Sequence, residues 1–338
     1  MIKLKKIIFV LLIISLLLAS GCKKTQKDPK KQLEELKTGT EGISLSFVPN
    51  SPPDIVHIEP TVKNFDVMIE IKNKGAYPAA DDPRRIEGRL YLSGYDQNLV
   101  QWDRNNVDLG SLLLPSKSQV NLQGGFDVAA FKAEAQNLDS LNVEKYEPIL
   151  LATACYKYET AATASVCIDP NPYSTVKEKK VCQVHDITLS SQGAPVAVTK
   201  IEETASYATT QFKVTIKNVG TGDVLKFDQL EKCNPTGTAR LEREDIDKVH
   251  VERIAVGQQE LLCWPFVDVQ DSRARLQSGF IRLINNEGSV TCELQKKDQS
   301  GYAGGNTAYI TPMTIRLKYG YKAIAEKKIQ IKVVSQQK

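Results

Sequence analysis

The sequence has little of what active sites are usually built from. Its three histidines, His57, His185 and His250, are far apart, and none stands two or four residues from another, so no local metal-ligating pair exists. HExxH, GxSxG, the phosphate-binding P-loop and GxGxxG are all absent, which removes the sequence support for zinc proteases, α/β-hydrolases and nucleotide enzymes. No Cys-x-x-Cys occurs, so zinc ribbons and thioredoxin-like redox sites lose their main signature. The one near match to a glycosylation acceptor, Asn234-Pro235-Thr236, has proline in the forbidden place. Only two tryptophans, Trp102 and Trp264, are available to line an aromatic cleft.

What is present is most explicit at the N-terminus. Lys3, Lys5 and Lys6 precede an uncharged run from Ile7 to Ala19, 13 residues long (19 − 7 + 1). A bilayer-spanning helix needs about 20 apolar residues, so the run is short for a stable span. A basic head, a short apolar stretch and small residues together form a secretory signal peptide. Leu18-Ala19-Ser20-Gly21-Cys22 resembles the lipobox of prokaryotic lipoproteins. The resemblance implies that residues 1–21 are removed, and that the Cys22 thiol receives a diacylglyceryl group and becomes the first residue of the mature chain. Two acyl chains give stable anchoring where one does not. A chance cysteine after an uncleaved signal-anchor is the competing reading.

Loss of residues 1–21 leaves 317 (338 − 21), enough for two domains, and lowers the formal charge from +4 to +1 as three lysines depart. A nearly neutral chain gives no charge argument for nucleic acid. No second long apolar run follows. Residues 22–42, with Lys23, Lys24, Lys27, Lys30 and Lys31, form a lysine-rich, mostly disordered tether that can also meet lipid headgroups.

The remainder alternates in the manner of strands. Ile43, Leu45 and Phe47, then Val67, Ile69 and Ile71, then Arg89–Ser93 are half-buried strands between turn signals. Leu112–Leu114 and Val120–Leu122 flank Pro115-Ser116-Lys117. Val128, Phe131, Ala135 and Leu138 stand at helical spacing behind Asp127, which predicts one short helix. Residues 43–170 form a first domain, the polar stretch 171–181 a linker, and 182–335 a second domain.

The two domains are copies of one plan. Val67-Met-Ile-Glu-Ile-Lys-Asn-Lys-Gly75 matches Phe212-Lys-Val-Thr-Ile-Lys-Asn-Val-Gly220 at an offset of 145 (220 − 75). Tyr156-Lys-Tyr158 matches Tyr319-Gly-Tyr321 at 163 (321 − 158), so the second copy carries 18 extra residues (163 − 145) between Gly220 and Tyr319. Short alternating strands at this spacing predict an all-β chain of two tandem, immunoglobulin-like antiparallel β-sandwiches. A strand, Asn-x-Gly and a segment such as Leu113-Leu114-Pro115 resemble the CARDB-like and other immunoglobulin-like modules of prokaryotic surface proteins. The tyrosines near each penultimate strand suit a tyrosine corner as well as plain cross-strand packing.

Six cysteines remain after Cys22: Cys155, Cys167, Cys182, Cys233, Cys263 and Cys292. An even set in an exported chain points to disulfides. A hairpin turning at Glu159–Ala162 would set Cys155 opposite Cys167, leaving Cys263–Cys292 and Cys182–Cys233 as the favoured remainder.

Other site candidates are sparse. Glu244, Asp245 and Asp247, beside Glu242, offer oxygen ligands for calcium, although Arg243 and Lys248 among them equally suit a solvated charged loop. The loop 296–306, with Tyr302 and Asn306, has the make-up of a recognition loop and also of a plain connector. No cofactor is implied. The expectation is a membrane-anchored envelope lipoprotein acting as a structural or protein-interaction module, not an enzyme. Its partner would be an envelope protein or a surface polymer. A glycan- or solute-binding lipoprotein is the alternative, and a hydrolase with carboxylates from distant strands the third.

The intact mass of protein from a membrane fraction tests the anchor and the thiols together. We expect a chain starting at Cys22 with added lipid mass that gains about six hydrogens on reduction; an intact Met1 and no change on reduction would overturn both.

Overall fold

The computed structural model describes residues 38–59, 63–79, 85–136, 138, 144–174, 180–271, 273–295 and 307–334, which belong to one compact unit, Leu36–Lys338. Cys22, Tyr302 and Asn306 lie outside the described residues, as do residues 175–179 of the expected linker. The described chain is built from strands, with no α-helix among the described residues. In the first half these are β1 (Ile43–Phe47), β2 (Ile55–Ile58), β3 (Asn64–Asn73), β4 (Gly88–Ser93), β5 (Val100–Trp102), β6 (Asn106–Asp108), β7 (Phe126–Ala135), β8 (Lys145–Tyr146) and β9 (Ile149–Ile168). In the second half they are β10 (Ile187–Thr188), β11 (Val196–Ala205), β12 (Thr209–Asn218), β13 (Asp223–Leu225), β14 (Lys248–Val256), β15 (Gln259–Glu260), β16 (Leu262–Trp264), β17 (Gly279–Arg282), β18 (Glu287–Gln295), β19 (Tyr309–Lys328) and β20 (Gln330–Val333).

Alternation decides which face each strand buries. Phe65, Val67, Ile69 and Ile71 point inward from β3, and Phe212, Val214 and Ile216 from its counterpart β12. These residues cannot leave water unless a second sheet covers them, so each copy closes a sandwich. One small sheet has the order β1-β3-β7-β5 and the other β10-β11-β12-β18-β16. Both bury against a single large sheet, β15-β14-β19-β9-β4-β6, with β13 and β17 at its margins. Side chains of all three sheets form one continuous hydrophobic core.

The large sheet is shared because β9 and β19 pair antiparallel over all of their twenty residues, from Ile149 opposite Lys328 to Ile168 opposite Tyr309. Tyr158 faces Tyr319 and Tyr156 faces Tyr321, so the matched sequence motifs meet each other. A residue and its own counterpart are paired only at Lys157 and Gly320 (320 − 157 = 163). The repeat therefore becomes a pseudo-twofold whose axis passes through that pair. A further tie is β2, which runs parallel to the last strand, β20.

The extra length of the second copy can be placed. Arg89 stands opposite Cys155, and His250 opposite Lys318, the counterpart of Cys155. The offset has thus reached 161 (250 − 89) by β14, so all but two of the extra residues fall in the segment 219–249. That insertion holds β13 and the short 3-10 turn Leu230–Cys233.

Three expectations need correction. The predicted helix behind Asp127 is strand β7, in which Ala129, Phe131, Ala133 and Ala135 are buried at a period of two between β3 and β5. Leu112–Leu114 and Val120–Leu122 are not strands but parts of a loop. The turn at Glu159–Ala162 does not exist, since β9 runs straight through it. Cys155 and Cys167 therefore lie twelve residues apart on one strand, about 40 Å, and cannot bond. The disulfides are Cys155–Cys233, Cys167–Cys182 and Cys263–Cys292, with Cα separations of 6.2, 5.8 and 4.0 Å. The first joins β9 of one copy to the insertion of the other. The second brackets the expected linker, and the third bridges directly opposed residues of β16 and β18. Three such bonds mark a chain that matures in an oxidising compartment.

Candidate functional site: the tyrosine waist and the surfaces around it

At the pseudo-twofold, Tyr156, Tyr158, Tyr319 and Tyr321 face inward and form a ring of rings. Centroids are 5.8 Å apart for Tyr156–Tyr158, 5.9 Å for Tyr156–Tyr321, 6.3 Å for Tyr158–Tyr319 and 6.4 Å for Tyr319–Tyr321. All four are buried. A buried phenol needs a partner, and two find theirs in turns that the repeat supplies, the other two in strands.

The Tyr158 Oη accepts from the Tyr77 amide at 3.3 Å and donates to Asn73 Oδ1 at 3.3 Å. The Tyr321 Oη accepts from the Gly222 amide at 2.8 Å and donates to Asn218 Oδ1 at 3.3 Å. Each asparagine also accepts from the glycine two residues on, Gly75 at 3.2 Å and Gly220 at 3.3 Å. Its Nδ2 donates to a carbonyl four residues on, Tyr77 at 2.8 Å and Gly222 at 2.9 Å. Asn-x-Gly is thus more than a turn, because each is latched by a tyrosine from the shared strands. The glycines are needed for space. A Cβ on Gly75 would sit 1.8 Å from the Tyr158 Oη, and one on Gly220 would sit 2.3 Å from the Tyr321 Oη.

The other two phenols hold β1 and β11, the strands paired with β3 and β12. The Ile43 amide donates to the Tyr156 Oη at 3.0 Å, and the Val196 amide to the Tyr319 Oη at 3.3 Å. Thr160 Oγ1 lies 2.9 Å from the Tyr319 Oη and donates to the Val196 carbonyl at 2.6 Å. Burial pushes all four phenols above the ordinary tyrosine value, Tyr321 up to about 12.

The acidic segment is a set of counterions. Burial works against the Asp245 carboxylate, but bonds from the Glu242 amide and from Lys232, at 2.9 Å each, hold its pKa low. Glu244 receives Lys248 at 3.0 Å and Arg282 at 2.9 Å, and the Lys248 bond is the larger cause of its lowered pKa. Lys248 is itself buried and bonds Asp268 at 2.6 Å. Asp247 stands apart, raised by burial and by Asp223. Glu244, Asp245 and Asp247 are not brought onto one point, and among the described residues no group of three His, Cys, Asp or Glu is placed to hold a metal ion.

Three surfaces were missed by sequence reasoning. A groove of about 570 Å³ runs between β4 and the insertion, lined among others by Arg85, Arg89, Tyr91, Lys157, Phe227 and Glu231. Beside it Phe227 stacks on Phe280 at 5.8 Å, with His250 5.5 and 5.0 Å from the two rings. Lys226 lies 4.8 Å over Phe280 and Lys318 4.9 Å over Phe227. His250 is packed among these rings, and burial lowers its pKa. His185 is exposed. The third surface is the loop from Leu112 to Phe126, where Leu113 is 68% exposed, Val120 97%, Leu122 50% and Phe126 62%. Its signal in the sequence was an apolar segment with no acidic residue.

No described protein family matches the chain, and no curated protein does. Among solved structures, the CupB6 tip adhesin of Pseudomonas aeruginosa is similar over 88% of this chain and 100% of that one, at 10% identity and a TM-score of 0.19. So slight a likeness carries no argument about function.

The latch gives two predictions. Gly220→Ala should lower stability by about 1–3 kcal/mol through overpacking, part of which Tyr321→Phe in the same chain restores. Denaturant unfolding of the single and double variants measures this. In the unfolded chain a phenol ionises near pH 10, whereas the waist phenols keep their protons to higher pH. Their stability is therefore full below pH 10 and lost as pH rises through the folded values, about 12 for Tyr321. An ultraviolet titration should show these tyrosines ionising only as the protein unfolds; ionisation of all twelve tyrosines near pH 10 with the fold intact would contradict it.

Proposed function

We propose that the chain is an exported envelope protein, anchored to the outer face of a membrane through lipid on Cys22, and that it works as a structural or protein-interaction module rather than an enzyme. The observation that supports this best is the fusion of the two sandwiches. They share twenty paired residues, a buried tyrosine ring and a disulfide across the copies. Such cross-tying makes a rigid body that holds its surfaces at fixed separation, which is what a spacer or presenting module requires. Three disulfides suit life outside the cytoplasm. The partner would be another envelope protein or a surface polymer, met on the face made by the insertion. There Phe227 and Phe280, under Lys226 and Lys318, combine apolar area with positive charge.

The adjoining groove favours a second reading, capture of a small glycan or solute between Arg85, Arg89 and Phe227.

Fractionation tests the anchor in cells. Wild-type protein should stay with membranes through salt and carbonate washes, whereas Cys22→Ala should be released by them. A photo-crosslinker at Phe227 should then capture one envelope component from whole cells. Retention of Cys22→Ala through both washes would overturn the lipid reading, and binding on a glycan array lost in Arg89→Ala would favour the second one.

A further inference from the structure

We infer that the loop between Leu112 and Phe126 is a second membrane contact, an apolar tip that seats in the phospholipid bilayer; the inference rests on the reading that Cys22 anchors the chain there.

The loop is an ordered projection. Pro115 and Gly125 close its base, the Gly125 amide donating to the Pro115 carbonyl at 2.7 Å. Ser118 and Asn121 exchange backbone hydrogen bonds at 2.8 and 3.1 Å and so form its tip, which carries Val120. Leu113, Leu122 and Phe126 are exposed along the same excursion. Single exposed apolar residues are ordinary, but two at the tip and two flanking the base of one short loop call for a covering partner.

Three observations say that the partner is a bilayer. The first is where the chain leaves. Lys117, in this loop, donates to the Thr38 carbonyl at 3.2 Å, and the described chain starts at Thr38. Residues 22–37 can span at most about 55 Å, so the loop stands within that distance of a lipid on Cys22. The second is charge. The loop has no acidic residue and holds Lys117, and the Lys72 ammonium, paired with Glu70 at 2.6 Å, lies 6.0 Å from the Phe126 ring. Apolar side chains beside lysines match the acyl boundary and the anionic headgroups above it.

The third is the pseudo-twofold. Gly125 O accepts from the Asn73 amide at 2.9 Å, and Asn286 O accepts from the Asn218 amide at 2.9 Å, so the turn at Asn285–Asn286 is the counterpart of this loop. It too presents an apolar residue, Ile284, 70% exposed. Thr40 packs its carbonyl against Gly220, while Gly42 lies against Tyr156 and Tyr158. The chain from Thr38 to Gly42 therefore runs between the two Asn-x-Gly turns, each of which is hydrogen-bonded to one of the segments that carry the exposed apolar residues. Lipid on Cys22 draws on the chain at that point.

The test uses the chain from residue 22 with Cys22→Ser, which carries no lipid, and vesicles of phosphatidylglycerol and phosphatidylethanolamine doped with brominated phospholipid. In a Val120→Trp form the added fluorescence should be quenched by the vesicles, against the background from Trp102 and Trp264 in the parent. Val120→Asp with Leu122→Asp should reduce co-sedimentation at least tenfold in salt that screens the tether lysines. Val120 is 97% exposed, so an unchanged melting temperature will certify the fold of each variant. An unquenched Val120→Trp chain that still sediments with vesicles would overturn the inference, leaving the anchor, read by mass, untouched. Self-association that Val120→Asp abolishes, without quenching, would overturn it in favour of a second copy.

Discussion

The fold depends on the pairing of β9 with β19. Two strands of twenty residues are long for a globular protein, and here length has a purpose. Half of each strand serves its own copy, and the other half extends the sheet of its neighbour. Neither copy can shift register against the other without breaking the match of Tyr158 with Tyr319 and of Tyr156 with Tyr321. A slip of one residue would turn every side chain of β9 to the wrong face, putting Tyr156 and Tyr158 into solvent and Lys157 into the core. The latch from Tyr158 to Asn73 would break in the same event. The core thus has a single register, and its turns are set by it.

Much of this was legible in the sequence, though not its meaning. The two motifs that exposed the repeat, Asn-x-Gly and Tyr-x-Tyr, prove to be the two halves of one device, bonded across 85 residues in the first copy and 103 in the second. Sequence could align the copies but not say whether they sit as beads or share a sheet, because that is a question of pairing between distant strands. The misread elements have a common cause. Ala129, Ala133 and Ala135 in β7, and Ala161 and Ala162 in β9, are small residues of weak strand preference, and alanine suits a helix. They are tolerated because neighbours on both sides fix the backbone. Losing the continuity of β9 then produced the wrong partner for Cys155.

The acidic segment teaches the same lesson about charge. Read in order, Glu242, Glu244, Asp245 and Asp247 form a cluster that invites a cation. In space the cations are already present as Lys232, Lys248 and Arg282, two of them supplied by other strands or turns. A fully buried lysine such as Lys248 is tolerable only beside carboxylates, so Asp268 and Glu244 balance the cost of burying it. Local spacing sees ligands where the fold has made ion pairs.

The insertion is where the two copies cease to be equivalent. A pseudo-symmetric scaffold offers a ligand two similar faces, and an interaction specific to one requires the symmetry to be broken. The break falls on the axis itself. Opposite Lys157 the counterpart residue is Gly320, and a Cβ there would meet Leu230 at 2.8 Å and the Lys226 carbonyl at 3.0 Å. The glycine admits the insertion onto the outer face of the large sheet, and Cys233 then fixes it to Cys155 on the other copy. Phe227, Lys226 and Glu231 come to the surface only because of it. The same segment therefore locks the copies on one side of the sheet and furnishes its most distinctive face. On the opposite side, the chain runs toward Cys22 between the apolar tips. The tyrosine waist lies between those two sides, which in the proposed reading face a partner and a membrane.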